Sequence, residues 1–367
     1  MKLEPFRIDV TPDVLDDLFR RLDATRLPIA TPGEDWSRGI PVSVVERLVS
    51  AWRHRYDWPR EQARLNSYEH FHVEIDGTRL HFLRHRAARP GRLPVILTHG
   101  WPYTFAEMLP TLDALQGEMD VIVPSLPGFG FSGTMPVPFT DEAVADRWYT
   151  LMTDVLGYDR FLTYGEDVGA YISDWTAAKY PHAVAGIVAS HASWAAKDRP
   201  STQITDEEQA FFDSINDPDE SGYAHLQATR PDTAALALTD SPAGLLAWLV
   251  EKYAAWSGGD ALESFTDDAL LTPVMLYWIT GSIGTSFRSY SESRHGSPHP
   301  VIDVPASIII QRREAGFPRS LAEKSYRDIR SFSTLRHGGH FPAWETPGEV
   351  VRAILELEAQ VAVSQER

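Results

Sequence analysis

The chain contains no cysteine, which removes disulfides, a thiolate nucleophile and cysteine-ligated zinc in one step. Long apolar runs are missing too. No uninterrupted stretch approaches the ~18 or more residues that a membrane span needs, and Met1-Lys2-Leu3-Glu4-Pro5-Phe6 lacks the apolar core of a signal peptide. The expectation is a soluble, cytoplasmic protein, neither exported nor anchored in a membrane. Basic residues are in deficit: 34 Lys and Arg stand against 51 Asp and Glu, for a net charge of −17. Such a surface repels polyphosphate, so nucleic acid is not an expected partner. Internal repeats and low-complexity tracts are absent as well. What is present is 367 residues with 11% aromatics, enough to bury a sizeable core as one large domain with an insertion or as two domains.

The first sixty-odd residues read as helix and irregular loop. Thr11 and Pro12 form an N-cap and first-turn pair, followed by Val14, Leu15, Leu18, Phe19 and Leu22 at helical spacing. A second helix is expected from Pro41 through Val44, Val45, Leu48 and Trp52, after a loop around Thr31-Pro32-Gly33. Too short to fold alone, residues 1–65 are expected to pack as a meander on the rest of the chain. From about residue 70, short β runs alternate with helical segments, the pattern of an α/β domain with a mostly parallel sheet flanked by helices. Eight strands are expected: Phe71 to Ile75, Arg79 to Arg84, Leu93 to Thr98, Val121 to Pro124, Phe161 to Tyr164, Val184 to Ser190, Ala306 to Ile310 and Ser331 to Leu335. A terminal amphipathic helix carries Val350, Val351, Ile354, Leu355 and Leu357. Between residues 195 and 298 the alternation stops. A polar, acidic stretch leads into helical segments around Ala243 to Tyr253 and Val274 to Ile283. This part reads as a helical cap inserted between two parts of the sheet domain, 66–194 and 299–367.

Gly165-Glu166-Asp167-Val168-Gly169 follows one of those strands and precedes the helix-compatible Ala170-Tyr171-Ile172-Ser173-Asp174-Trp175. This is the G-x-D-x-G form of a nucleophile elbow, a strained strand-to-helix turn that thrusts its central side chain into a pocket. A serine attacking an sp3 carbon would leave an ether that water cannot cleave. A carboxylate leaves an ester whose carbonyl can be hydrolysed in a second step. Asp167 therefore points to an electrophilic alkyl carbon, as in an epoxide or a haloalkane. The plain alternative, a capping Asp in a strand-end loop, loses ground because the strand–turn–helix context is in place.

Such a nucleophile needs a base to activate water and donors to hold the ester oxygen. In this architecture the chain order is nucleophile, acid, histidine, and His340 in His337-Gly338-Gly339-His340-Phe341 follows the last strand. His337 is nearby, but the glycine pair before His340 allows a tight approach to the pocket. A two-histidine metal site has no third ligand, and no metal or organic cofactor is expected. Glu314, just past Ile308-Ile309-Ile310-Gln311-Arg312-Arg313, is the expected orienting acid, with Asp303 and Asp328 as competitors. Gly100 in His99-Gly100-Trp101-Pro102 permits the turn that lets the N–H groups of Trp101 and Val168 form an oxyanion hole. His99 reads as structural, and Pro124 to Ser132 as a packed turn without chemistry.

At these residues the chain resembles the epoxide hydrolases of the α/β-hydrolase superfamily, in the branch of microsomal and juvenile-hormone enzymes with an N-terminal meander. The likeness spans nearly the whole length. It rests on Phe6 to Arg26, Tyr56-Asp57-Trp58, His99-Gly100-Trp101-Pro102, Leu126-Pro127-Gly128-Phe129-Gly130-Phe131-Ser132, Gly165 to Gly169 and Gly338-Gly339-His340-Phe341. The resemblance implies hydrolysis of an apolar epoxide to a vicinal diol. It also implies two cap tyrosines that donate to the epoxide oxygen, mapping onto Tyr223 and Tyr290, with Tyr253 and Tyr277 as the nearest alternatives. Two positions depart from the family, which usually has Gly before and Trp after the nucleophile; here they are Glu166 and Val168. Val168 should open the pocket floor, and Glu166 is expected to point away from the cavity. A haloalkane dehalogenase, and a non-catalytic small-molecule receptor on the same scaffold, are the rival readings. The sequence leaves a homodimer open.

Overall fold

Four central strands carry almost nothing but apolar residues, because both faces of the sheet they form are covered. The computed structural model describes residues 1–30, 36–88, 91–190, 203–215, 220–259, 265–293 and 296–363. The strands are β1 (Glu4–Phe6), β2 (His70–Ile75), β3 (Thr78–His85), β4 (Val95–Thr98), β5 (Val121–Pro124), β6 (Phe161–Gly165), β7 (Val184–Ala189), β8 (Ile302–Ile310) and β9 (Tyr326–Thr334). They form one nine-stranded sheet in the order β1-β2-β3-β5-β4-β6-β7-β8-β9. Strands β1, β2, β3 and β5 pair antiparallel in succession, and from β5 through β4 to β9 every pairing is parallel. Every residue of β4, β5, β6 and β7 is buried.

Among the described residues the sheet has nine strands rather than the eight expected. The extra one, β1, pairs Glu4 with His72 and Phe6 with His70. It is three residues long with Pro5 at its centre, a composition confined to edge strands and invisible to an alternation pattern.

The helices are α1 (Pro12–Asp23), α2 (Val42–His54), α3 (Trp58–Leu65), α4 (Leu109–Leu115), α5 (Asp141–Thr150), α6 (Val168–Lys179), α7 (Asp206–Ile215), α8 (Gly222–Thr229), α9 (Pro231–Asp240), α10 (Pro242–Trp256), α11 (Asp267–Thr280) and α12 (Pro347–Val363). Helices α5 and α6 pack together, and α12 packs on β7 and β8. Helices α7 to α11 and two short turns, Ile283–Ser286 and Arg288–Ser291, lie in the chain between β7 and β8. The proposed junction at Trp194 and Ala195 lies outside the described residues, as does the loop Thr31-Pro32-Gly33. Thr11 does precede α1, but its side chain makes no capping bond; Pro41 takes the N-cap place of α2.

The N-terminal helices are tied to the inserted ones by charge. Asp267, the first residue of α11, pairs with Arg47 and with Arg55 at 3.0 Å, and Arg60 reaches Asp268 at 2.6 Å. Both acids sit in the first turn of α11, where the helix dipole favours negative charge. Arg21 reaches Asp240 at the end of α9 at 2.8 Å. Among the described residues no single helix is long and apolar enough to cross a membrane.

Candidate active site

Strand β6 ends at Gly165 and α6 begins at Val168, so the chain must reverse within two residues. Asp167 makes that turn with φ 55° and ψ −125°, a conformation that costs a non-glycine residue on the order of 1–3 kcal/mol. The surrounding backbone is close enough to enforce it. A Cβ on Gly165 would lie 2.0 Å from the Gly169 carbonyl oxygen, and one on Gly169 would lie 2.3 Å from that of Thr98. A Cβ on Gly100 would meet the Asp167 side chain itself, 2.4 Å from its Cβ. The elbow therefore presses on the β4 loop at the point where Trp101 follows. The Trp101 N–H donates to Asp167 Oδ1 at 3.0 Å, and His340 Nε2 lies 3.3 Å from Oδ2. Each carboxylate oxygen thus faces a different partner. Val168 opens α6, which puts its N–H at the helix N-terminus, where backbone donors lack intrahelical partners.

His340 stands on a loop held from several directions. Its N–H donates to the Trp256 carbonyl at 2.8 Å, and its own carbonyl accepts from the Tyr103 hydroxyl. Its ring meets that of Trp256 edge-on at 5.0 Å. The Glu345 carboxylate accepts from Gly258 at 2.7 Å, Gly339 at 2.9 Å and Phe341 at 3.1 Å, so it joins this loop to the end of α10. His337 is exposed. Glu314 is buried in the turn Arg312–Glu314 directly after β8. Its charge and that of Asp167 both act on the hydroxyl of the half-buried Tyr171, whose pKa is raised first by burial and then by neighbouring carboxylates. Asp303 and Asp328 instead pair with Arg327 at 3.2 Å and Arg330 at 2.6 Å on the two edge-side strands.

Tyr223 on α8 and Tyr290 in the turn Arg288–Ser291 face each other edge to face, with centroids 5.8 Å apart. Their hydroxyls interact, and both feel the charge of Asp167. Burial is the first cause that raises both pKa values, so each phenol stays a protonated donor. Trp101 stacks on Tyr223 at 5.2 Å and 10° and meets Tyr290 edge-on at 5.7 Å. One residue therefore touches both tyrosines through its ring and the nucleophile through its backbone. Tyr253 and Tyr277 are committed elsewhere: their hydroxyls donate to the carbonyls of Pro102 at 3.0 Å and Tyr103 at 3.1 Å.

His99 holds the same loop from below. Its Nδ1–H donates to the Gly100 carbonyl at 2.9 Å and its Nε2 accepts from the Leu126 N–H at 3.0 Å, which demands a neutral ring. Burial takes its pKa down to about 4. Glu166 turns away from the cavity, as expected: its carboxyl accepts from the Tyr164 hydroxyl and from the Ala343 N–H at 2.6 Å. Burial raises its pKa to about 8. Sequence reasoning missed Glu345, Tyr103, Trp256 and Lys252. Glu345, Tyr103 and Trp256 have partners far along the chain, whereas those of Lys252 lie nearer, on α10 and around the start of α8; among the first three only the placement of Glu345 five residues beyond His340 gave any local signal.

Family models match in chain order. That of the epoxide hydrolase N terminus covers residues 3–108 and that of the alpha/beta hydrolase fold covers residues 94–214. A protein of Stigmatella aurantiaca, provisionally named an epoxide hydrolase, is 36% identical over 89% of this chain and 78% of its own. Epoxide hydrolase 1 of Oryctolagus cuniculus is 32% identical over 79% of this chain and 72% of its own. Among solved structures, the juvenile hormone epoxide hydrolase of Bombyx mori superposes with a TM-score of 0.88 at 30% identity, covering 99% of this chain and 96% of that one. The epoxide hydrolase of Aspergillus niger gives 0.87 at 26% identity, covering 98% and 97%.

Proposed function

Because this chain belongs to the epoxide hydrolases, enzymes of the α/β-hydrolase fold, we propose that it opens its substrate through a covalent ester on Asp167. Oδ2 attacks the less hindered ring carbon while the strained C–O bond breaks, and Tyr223 and Tyr290 donate to the departing oxygen. A phenol, with an ordinary pKa near ~10, is a neutral donor that can still stabilise an alkoxide. His340, oriented by Glu314, then takes a proton from water as that water attacks Cγ of the ester. The charge that develops on Oδ1 is held by the N–H groups of Trp101 and Val168. Collapse expels the diol and restores the carboxylate. The observation that carries this reading is the split environment of Asp167: a backbone donor at 3.0 Å on one oxygen and an imidazole 3.3 Å from the other.

The aromatic surroundings of the two tyrosines, with Trp101, Trp256 and Phe287, favour an apolar epoxide. The same reading divides the chain into a meander (1–65), a helical cap (195–298) and a two-part sheet domain (66–194 and 299–367). One turnover in H2 18O with enzyme in excess tests the chemistry. The label should enter Asp167 and be missing from the diol; label in the diol would mean direct attack by water and would end the ester mechanism.

A further inference from the structure

Lysine is almost never fully buried unless it is paired, yet Lys252 on α10 is only 7% exposed. Its Nζ lies 2.8 Å from Glu251 Oε2 and 3.7 Å from Glu220 Oε2, which keeps the charge tolerable in a site with little water. The ammonium then does something that neither pair requires. It sits over the ring of Tyr223, 4.8 Å from the centroid, and 5.6 Å from that of Trp256. Trp256 and Trp101 also contact the Tyr223 ring, at 5.1 Å and 5.2 Å. The phenol is thereby fixed in direction by two indoles and polarised by a cation.

We propose that Lys252 is a positioning residue for ring opening, whose ammonium makes the Tyr223 hydroxyl a stronger donor to the alkoxide that forms as the epoxide C–O bond breaks. This rests on the reading of Tyr223 as one of the two donors. As a phenol donates to a developing alkoxide, negative charge builds on its own oxygen and ring, and a nearby cation lowers the energy of that state. The other charges acting on Tyr223 are Asp167 and Glu220, which oppose the effect, and Arg313, which assists it. Glu220 is also bound to Trp256, whose Nε1–H it accepts at 3.3 Å. The arrangement gives a test by sign: neutralising Lys252 and neutralising Glu220 should move the first half-reaction in opposite directions.

Single turnovers of styrene oxide, followed by intrinsic tryptophan fluorescence, resolve ester formation from ester hydrolysis. Y223F should slow ester formation, and if it does not, the donor assignment falls and takes the role of Lys252 with it. K252M fills a similar volume without charge and should slow ester formation about tenfold while ester hydrolysis keeps its rate. Introduced into the Y223F protein, K252M should change nothing further, because the hydroxyl through which it acts is gone. An undiminished rate in K252M, or an equal loss with and without the hydroxyl, would overturn the inference while leaving Tyr223 in place. E220Q supplies an independent arm should K252M fail to fold. Its ester formation should be faster than in the parent protein, and an unchanged or slower rate would count against the cation.

Discussion

Glu166 shows how a position that is chemically loud in the sequence can be taken up by the fold. A carboxyl beside the nucleophile invites the idea of a like-charge pair that raises the pKa of both. In the fold it is fully buried, bonded to Tyr164 and Ala343, and shifted to about 8 chiefly by burial. The shift makes a stability prediction. A carboxyl whose folded pKa is raised contributes stability that is complete below its unfolded value and is lost as pH rises through the folded one. Over the window from the ordinary value of 4.5 to about 8, the wild type should therefore lose up to roughly 5 kcal/mol relative to E166Q. Glutamine keeps an oxygen for the Ala343 N–H and never ionises. Urea midpoints of both proteins across that window check it, and parallel curves would show that Glu166 is already ionised in the fold. The residues legible beforehand were those whose neighbours in sequence make the geometry: the elbow around Asp167, the glycines before His340, the turn at Trp101. Trp256 was illegible, because the bond from His340 to it spans 84 residues of chain, and Glu345 was only half legible, because its bond from Gly258 spans 87.

The β2–β3 hairpin carries a directed chain of imidazoles that no alternation pattern announces. His70 Nε2–H donates to the Leu65 carbonyl at 2.8 Å, so its Nδ1 must accept from His81 Nε2–H at 2.8 Å, and His81 Nδ1 accepts from the Ser125 hydroxyl at 2.8 Å. A second proton on His81 would require the Ser125 hydroxyl to turn from donor to acceptor. Burial lowers both pKa values, that of His81 well below 6.5. A neutral buried histidine contributes stability present above the unfolded value and lost as pH falls below it. Glu166, Glu107 and Asp141, all raised by burial, act in the opposite sense over the same range, so only a comparison isolates the histidines. The stability gap between wild type and H81Q should shrink as pH falls from about 7 to about 5; a gap that stays constant would mean that His81 takes up its proton as readily in the fold as in the unfolded chain. The same element contrast explains the strand boundaries. Strand β8 starts at Ile302, ahead of the expected Ala306, because Pro305 hides its first residues from an apolar pattern without ending the strand, and β9 starts at Tyr326, ahead of Ser331, because the charged Arg327, Asp328 and Arg330 of an outer strand hide its first half. The doubly buried strands β4 to β7 were legible to within two residues, including the overhangs at Leu93 and Ser190.

The two halves of the proposed reaction belong to different layers of the molecule. Asp167 and Trp101 stand at the ends of β6 and β4, and Glu314 and His340 on the turns after β8 and β9, all carried by the sheet. Tyr223 and Tyr290 come from the helices between β7 and β8, and salt bridges from Arg21, Arg47, Arg55 and Arg60 hold parts of that helical layer to the N-terminal helices. In the proposed reaction, breaking the epoxide C–O bond draws on the helical layer, whereas hydrolysing the ester draws only on the sheet. Variants should therefore separate by layer. The Y223F/Y290F protein should form ester at least about 100-fold more slowly, since proton donation of this kind contributes roughly 10²–10⁴ in rate, and should hydrolyse whatever ester it forms at the parental rate. H340Q should do the reverse, with ester forming at near the parental rate and accumulating as an adduct heavier by one intact substrate. Single-turnover rates and intact-protein mass spectrometry read the two steps independently. If the tyrosine pair slowed both steps equally, the helical layer would be holding the sheet residues in place rather than supplying the proton, and the division of labour drawn here would not stand.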